Sequence, residues 1–515
     1  MTGIGRGATR WLAIASGVLL GAAFLPAPLG FLAWGAFIPL LIALDARVRA
    51  GASKRALFGL GYLFGFAFYL IGTHWIALLA EVAITVPWLK YPAWVAAGAY
   101  LALFSGLTTL LAGWLARRAR APLALTFPTA LLVIEELRAS GELGFPWFQP
   151  GYTQHAYAPV IQLASLGSVS LVTLWIACVN VLLWRAFAGG ARLRAALGAA
   201  LLFALPWAWG MRVLDAAPKP HGPVIALVQG NVPGEIKWSG KHQKEILATF
   251  FALSESALAE PPRPVLFIWP ETATGSYLRK QLDQTLAMAS FSARAGVPIF
   301  SGFADYDYGP ADQMKQFNAA ALFAPDGSLG PVYAKRHLVP FGERMPFEQW
   351  IPGLAKIELG QAEWTAGSGA VLFPSAADSF SCLICFESIF PDLARDDVRR
   401  GARWLVNITN DEWFGNGAAL YQHAAMAPFR AVENHVPLAR CGNTGLTLIA
   451  DSNGRVTARL PVWKPGVLKA RLPVPGRPTF YTRLGDWPGL LCMLLVVALA
   501  LFGRRLALTR VEAAP

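Results

Sequence analysis

The sequence predicts a two-part protein, in which a multi-span α-helical membrane bundle carries a water-soluble α/β domain. Three observations lead there. Residues 11–213 and 487–503 are almost continuously apolar, whereas 222–472 have an ordinary mixed composition. The whole chain of 515 residues is 55% hydrophobic and only 15% charged, against about 25% charged in average globular chains. Within 222–472, short β-rich runs alternate with helical stretches. The expected divisions are 1–215 for the main bundle, 222–472 for the soluble domain, and 485–515 for a last membrane helix with its tail.

A span needs about 20 apolar residues to cross roughly 30 Å of hydrocarbon. The uncharged run 11–44 is too long for one span and is broken by Pro26 and Pro28, so it is read as two short helices, 11–25 and 29–44. Further spans are expected at 56–80, 92–116, 121–138, 159–184 and 195–213, with the last at 487–503, making eight transmembrane helices. No small-residue cleavage site precedes a polar start, so the first run is not read as a signal peptide. Arg6 and Arg10, then Arg47 to Arg55, Arg117 to Arg120, Arg185 to Arg194, and Arg504 to Arg510 all fall on one side of eight spans. Such clusters mark the cytoplasmic face. Both termini are therefore expected in the cytoplasm and 222–472 outside it. Glu135, Glu136 and Arg138 end the fifth span. Charges at that depth face the protein interior, as an ion cluster in preference to a lipid-headgroup contact.

In the soluble part, runs at 224–228, 265–269, 297–300, 319–323, 379–384, 404–408 and 446–450 read as strands. Stretches at 240–259, 280–295, 391–401 and 418–435 read as helices. Asp326-Gly327 and Asn453-Gly454 are turn signals. The alternation predicts an α/β or layered sandwich, and α/β folds place their sites at strand ends. Three ends stand out: Glu271 after Ile268-Trp269-Pro270, Lys335 after Val332-Tyr333-Ala334, and Cys385 after Leu383-Ile384. A thiol where a strand turns into a helix sits near backbone N–H groups, which favour a thiolate and bind an oxyanion. Glu271 supplies a carboxylate to take the thiol proton, and Lys335 a positive charge. Together they make a covalent acyl-transfer kit. Each alone has a plainer reading: a core thiol, a solvated turn carboxylate, a surface lysine.

Trp269-Pro270-Glu271, Lys335 with Leu338-Val339-Pro340-Phe341-Gly342-Glu343, and Cys385-Phe386-Glu387 resemble the nitrilase (carbon–nitrogen hydrolase) superfamily and, more narrowly, the apolipoprotein N-acyltransferases. Gln229-Gly230-Asn231 with Trp238, the run 407–411 with Trp413-Phe414-Gly415, and Asn443-Thr444-Gly445 carry the same resemblance over essentially the whole chain. It implies a nitrilase-like αββα sandwich and a bacterial inner-membrane enzyme with a periplasmic catalytic domain. The implied reaction moves a fatty acyl chain from a membrane phospholipid, typically phosphatidylethanolamine, onto Cys385 as a thioester. The chain then passes to the α-amine of diacylglyceryl-cysteine in an apolipoprotein. The resemblance makes Cys385 the nucleophile, Glu271 the base and Lys335 the stabiliser of tetrahedral intermediates. It has Glu343 and Glu387 orient the site and Trp238 line the pocket.

Two lipid substrates in turn suit one thioester and ping-pong kinetics. No cofactor or metal is expected, because neither a Cys/His metal pattern nor a need for one is present. The formal charge of +13, from 44 Lys+Arg against 31 Asp+Glu, sits largely in short loops between apolar runs, which argues against nucleic acid. A monomer is expected. The stretch 344–364, with Phe347, Trp350 and Ile351, is read equally as a membrane-dipping gate or a packed loop. Cys382 and Cys385 lie about 10 Å apart on an extended strand, beyond disulfide reach, whereas a bridge from Cys385 to Cys441 stays open. His337, His423 and His435 are read as structural, and Arg430, Glu433 and Arg440 as a buried ion network. The rival reading is a membrane-anchored amidase that uses the same triad with water as acceptor. Eight spans are a costly anchor for a soluble substrate.

Overall fold

The computed structural model describes residues 4–80, 86–188, 192–216, 222–309, 312–348, 350–351, 353–354 and 363–512. The chain divides into two compact units: Met1–Ala77 with Trp88–Ala216 and Leu484–Pro515, and Leu78–Pro87 with Ala217–Arg483.

Among the described residues of the first unit, the regular structure is helical. Among the described residues, five helical stretches are long and apolar enough to cross a bilayer: Gly30–Arg49, Lys54–Leu78, Pro87–Arg118, Ala164–Ala188 and Arg192–Asp215. Trp487–Gly503 is a shorter apolar helix, and Arg6–Ala22 and Leu123–Ala139 are apolar helices of 17 residues each. Glycines set the close crossings. A Cβ on Gly61 would stand 2.2 Å from both Ser105 O and Thr109 Oγ1, and one on Gly17 2.2 Å from Phe64 O. Small residues allow such backbone approach where packing drives helix association. The stretch read as one helix over 159–184 is divided. A short turn, Ala158–Ile161, precedes Ala164–Ala188, which is itself interrupted where Gly167 and Ser168 leave helical geometry. Arg138 is buried and paired with Glu135, and also donates to Phe145 O. Ser170 Oγ lies 2.8 Å from Glu136 and 3.0 Å from Asp486. The charges at the end of the fifth predicted span thus form an internal polar cluster.

The second unit contains two six-stranded sheets. The strands are β1 (Val224–Gln229), β2 (Phe267–Ile268), β3 (Ile299–Tyr308), β4 (Met314–Phe323), β5 (Leu329–Ala334), β6 (Leu372–Phe373), β7 (Phe380–Ile384), β8 (Trp404–Thr409), β9 (Leu438–Gly442), β10 (Leu448–Ala450), β11 (Val456–Arg459) and β12 (Gly466–Arg471). One sheet runs β12-β1-β2-β3-β4-β5 and the other β11-β10-β9-β8-β7-β6. The central strands are parallel: β1 with β2, β2 with β3, β7 with β8, and β8 with β9.

The period-2 pattern explains the layering. Ile225 and Leu227 of β1 pack with Ile384 of β7, Val406 and Ile408 of β8, and Cys441 of β9, forming the core between the sheets. The alternate residues Ala226 and Val228 join Ile246, Phe250, Met288 and Phe291 from the helices Gln243–Ser256 and Leu282–Ala295. On the second sheet, Leu383, Leu405 and Leu438 face Ala394, Ala427 and Ala431 of the helices Pro391–Arg399 and Ala418–Asn434. Both faces of each sheet are therefore covered, which is why the parallel strands read as unbroken apolar runs. The order helix, sheet, sheet, helix is an αββα sandwich.

Candidate active site

Glu271 follows β2, and its backbone is tightly seated. A Cβ on Gly302 of β3 would lie 2.8 Å from Glu271 Cα and from Pro270 O, so this position has no room for a side chain. Glu271 is buried, with 6% of its surface exposed. Asn318 Nδ2 donates to its Oε1 at 2.7 Å, and the Asn410 amide donates to its Oε2 at 2.7 Å.

Lys335 comes from the residue after β5. Its backbone continues the sheet, donating to Asn318 O at 2.8 Å and accepting from Gly367 N at 2.8 Å. Its side chain is fully buried, with Nζ 2.8 Å from Glu343 and 3.9 Å from Glu271 Oε1. Burial works against the ammonium charge, but Glu343, with Cys385 and Glu271 behind it, holds its pKa above the ordinary value. Glu343 is fixed in turn by Val339 N at 2.8 Å and by Asn318 Nδ2 at 3.3 Å. The loop between Lys335 and Glu343 includes Phe341 in the left-handed region, at φ +64°.

Cys385 directly follows β7 and also has positive φ, +51°. Burial and then Glu271 push its thiol well above the ordinary range, while Lys335 and a hydrogen bond from Thr409 pull the other way. Burial likewise raises the carboxyl of Glu271, with Lys335 opposing. A raised thiol beside a raised carboxyl suits an arrangement in which the proton leaves sulfur only as sulfur attacks. The residues after the cysteine form a short 3-10 turn, Cys385–Ile389, before the helix starts at Pro391.

Glu387, in that turn, is fully buried and accepts from Tyr333 Oη at 2.8 Å, Arg336 N at 2.7 Å, His337 N at 3.1 Å and Ile384 N at 2.7 Å. It joins the cysteine turn to the lysine loop. Trp238 is 46% exposed, just after the helix Gly234–Lys237. The first turn of that helix is tied by Glu412, whose Oε1 accepts from Gly234 N at 2.8 Å. Gln229-Gly230-Asn231 meets Asn443 through Asn231 N to Asn443 O at 2.9 Å and Val232 N to Asn443 Oδ1 at 3.1 Å. Of the stretch read as gate or packed loop, residues 349, 352 and 355–362 lie outside the described residues. Of the remainder, Trp350 and Ile351 are 75% and 55% exposed and Met345 is buried.

The structure thus brings Glu271, Lys335, Glu343 and Cys385 together, sets Glu387 behind them and leaves Trp238 exposed. Other neighbours were either unnoticed in the sequence or given no place in the site. Asn318 bridges both acids from the middle of a strand. Asn407, Thr409, Asp411, His423 and Arg440 gather under the cysteine. Lys237 is fully buried, and burial pushes its ammonium down to about 8, opposed by Glu412 and Glu271. The 407–411 run lay in a motif already singled out, His423 had been read as structural and Arg440 as part of a buried ion network, and Asn318 and Lys237 had not been noticed. The cysteine alternative is also answered, since Cys441 and Cys385 are both free. Arg430 pairs with Glu433 and Arg440 with Asp411, all four side chains buried.

Cys385 Sγ, an Asp411 oxygen and a His423 nitrogen lie within 4.8 Å of one another, close enough to share a metal ion. Their partners argue otherwise. Asp411 already takes Arg440 at 2.7 Å and Thr409 at 2.8 Å, and a guanidinium at that distance disfavours a second cation.

A pair of carboxylates, a lysine and a cysteine at strand ends of an αββα sandwich define the class, and a carbon–nitrogen hydrolase family model matches residues 224–476. The apolipoprotein N-acyltransferase N-terminal domain model matches residues 16–182. The apolipoprotein N-acyltransferase of Geobacter metallireducens is 33% identical over 95% of this chain and 94% of its own. Those of Brucella melitensis and Methylococcus capsulatus are 32% and 33% identical over 92% and 93% of this chain, and over 92% and 93% of theirs. The chain belongs to the apolipoprotein N-acyltransferase family.

Proposed function

We propose that this protein transfers a fatty acyl chain from a membrane phospholipid, typically phosphatidylethanolamine, to the α-amine of a diacylglyceryl-cysteine at an apolipoprotein N-terminus. Cys385 carries the chain between them. The observation behind this reading is the match to apolipoprotein N-acyltransferases over 95% of the chain, helical unit included. A membrane-anchored amidase, with the same triad and water as acceptor, would need no more than one anchoring helix.

In the first half-reaction Glu271 takes the thiol proton as Cys385 Sγ attacks the ester carbonyl. Lys335 balances the oxyanion of the tetrahedral intermediate, the carbon–oxygen bond breaks, and Glu271 returns the proton to the leaving lysolipid oxygen. In the second, the lipoprotein amine attacks the thioester and gives its proton to Glu271. The carbon–sulfur bond breaks, and the sulfur is reprotonated. Glu343 keeps Lys335 aimed, Glu387 holds the cysteine turn, and Trp238 lines the acyl pocket. The scheme uses no cofactor.

The same reading places the protein in the bacterial inner membrane as a monomer with eight spans. Residues 1–215 and 485–515 form the membrane part, both termini are cytoplasmic, and the catalytic domain, 222–472, is periplasmic. The Lys/Arg clusters in short loops support that orientation.

The test is mass spectrometry of the full-length protein after incubation with phosphatidylethanolamine, beside Cys385→Ala. A fatty-acyl mass on the Cys385 peptide, discharged by a diacylglyceryl-cysteine peptide and absent from the variant, is expected. Discharge to free fatty acid at the same rate with and without the peptide would mean that water is the acceptor. No adduct at all would remove Cys385 as the nucleophile.

A further inference from the structure

Cys385 holds a left-handed backbone that L-residues rarely adopt, so its surroundings must impose it. The groups around its own carbonyl do so. Cys385 O accepts from His423 Nε2 at 3.1 Å, from Ser388 Oγ at 3.0 Å and from Asn407 Nδ2 at 3.4 Å. A carbonyl oxygen only accepts, so His423 Nε2 carries a proton, and the tautomer is set by this contact. The other ring nitrogen, Nδ1, is then an acceptor: it takes Arg440 Nη2 at 3.0 Å, while Asp411 Oδ1, also 3.0 Å away, acts on the ring through Arg440 and not by a hydrogen bond of its own. Arg440 Nη2 is 2.7 Å from Asp411 Oδ2, Thr409 Oγ1 donates to Asp411 Oδ1 at 2.8 Å, and Arg440 Nη1 donates to Asn407 Oδ1. None of these side chains is more than 1% exposed. The carbonyl's donors come from the helix Ala418–Asn434 (His423), β8 (Asn407) and the turn after the cysteine (Ser388), and Arg440 of β9 supports two of them.

We propose that His423, braced by Asp411 and Arg440, is a positioning residue: it fixes the backbone of Cys385 through the cysteine's own carbonyl and thereby sets where Sγ points. It does not act as the base. Its Nε2 proton is committed to that carbonyl, and its ring sits beside the Arg440 cation. A merely space-filling core histidine would touch any backbone group; this one touches the carbonyl of the proposed nucleophile. The inference rests on Cys385 being the reactive thiol, and deepens that reading.

The test uses the full-length protein with His423→Phe, His423→Gln and Ser388→Ala. Phenylalanine keeps the ring and loses the donor, whereas a glutamine amide restores an N–H to the carbonyl. Two rates are read: alkylation of Cys385 by iodoacetamide, followed on its peptide, and single-turnover acylation by phosphatidylethanolamine. With misplacement of the reacting atom by about 1 Å worth roughly 100-fold, His423→Phe is expected to slow both rates by about 10- to 100-fold, with KM for the phospholipid unchanged. His423→Gln is expected to regain most of the loss. Ser388→Ala, which removes a smaller donor to the same oxygen, is expected to slow both in the same direction and carries the test if the phenylalanine variant does not fold. Wild-type alkylation in Ser388→Ala together with no difference between the glutamine and phenylalanine variants would overturn the proposal, as would a rise in KM at unchanged kcat. Alkylation needs no lipid, so failure of wild-type acylation would sink the transferase reading while leaving this one decided by the alkylation rates.

Discussion

Lys335 Nζ lies 2.8 Å from Glu343 and 3.9 Å from Glu271. The lysine is bonded to one acid and only near the other, so the two carboxylates that share it are not equivalent. Glu343 is in ion-pair contact with the cation, whereas Glu271 is held by two amide donors, Asn318 Nδ2 and Asn410 N.

Removing one partner of a buried ion pair costs about 3–5 kcal/mol, because the other charge is stranded. Glu343→Ala is therefore expected to lower unfolding stability by about that much. The double variant Lys335→Met, Glu343→Leu is expected to recover part of the loss, the remainder falling on Glu271 left without its cation, while remaining inactive. Thermal unfolding of the detergent-solubilised protein separates the two, and a double variant no more stable than Glu343→Ala would contradict the assignment.

Glu271→Gln removes a negative charge beside the thiol and also removes the proposed base. The pH at which Cys385 becomes half-reactive toward iodoacetamide is expected to fall. The acylation rate is expected to fall as well, by about 10²- to 10⁴-fold, the usual range for a lost general base. A thiol made more acidic yet less productive is the signature. A shift of alkylation toward higher pH would show that Glu271 does not face the sulfur.

Burial alone would raise the Asp411 carboxyl, but Arg440, helped by a hydrogen bond from Thr409, holds it well below the ordinary carboxylate range. A depressed folded-state pKa contributes stability that is fully present above the unfolded value, about 3.9, and is lost as pH falls towards the folded one. Wild type is thus expected to exceed Asp411→Asn in stability at neutral pH, with the gap narrowing below about pH 4. Denaturant titrations at several pH values measure it, and a gap independent of pH would refute the linkage.

Gly302→Ala places a methyl 2.7 Å from Ile408 Cδ1 and 2.8 Å from Glu271 Cα. Overpacking of this kind costs about 1–3 kcal/mol. The strain falls on the backbone of Glu271, so acylation is expected to suffer more than stability. A variant that loses stability but acylates at the wild-type rate would show that the Glu271 backbone does not move.

Much of the sandwich was readable because its central parallel strands are buried on both faces and appear as short apolar runs before polar ends. β9 was missed for a physical reason. Arg440 sits mid-strand, where a charge ordinarily ends a buried run, and is tolerated only because Asp411, which follows β8, neutralises it. β11 and β12 are edge strands, partly exposed and carrying Arg459, Lys469 and Arg471, so they lack the apolar signal. In the site, Glu271, Lys335, Glu343 and Cys385 stood out because each lies in a distinctive local motif. Asn318 went unnoticed and His423 was read only as structural, since their meaning lies in contacts with residues 47 and 38 positions away. The eight predicted spans rest on hydropathy, and two of the helices concerned are 17 residues long, shorter than an upright crossing needs.

Glu387 takes hydrogen bonds from Tyr333, Arg336, His337 and Ile384 at once. A carboxylate shared by two separate segments ties the placing of the cysteine turn to that of the lysine loop. A change in the lysine loop is therefore felt at Cys385 through Glu387.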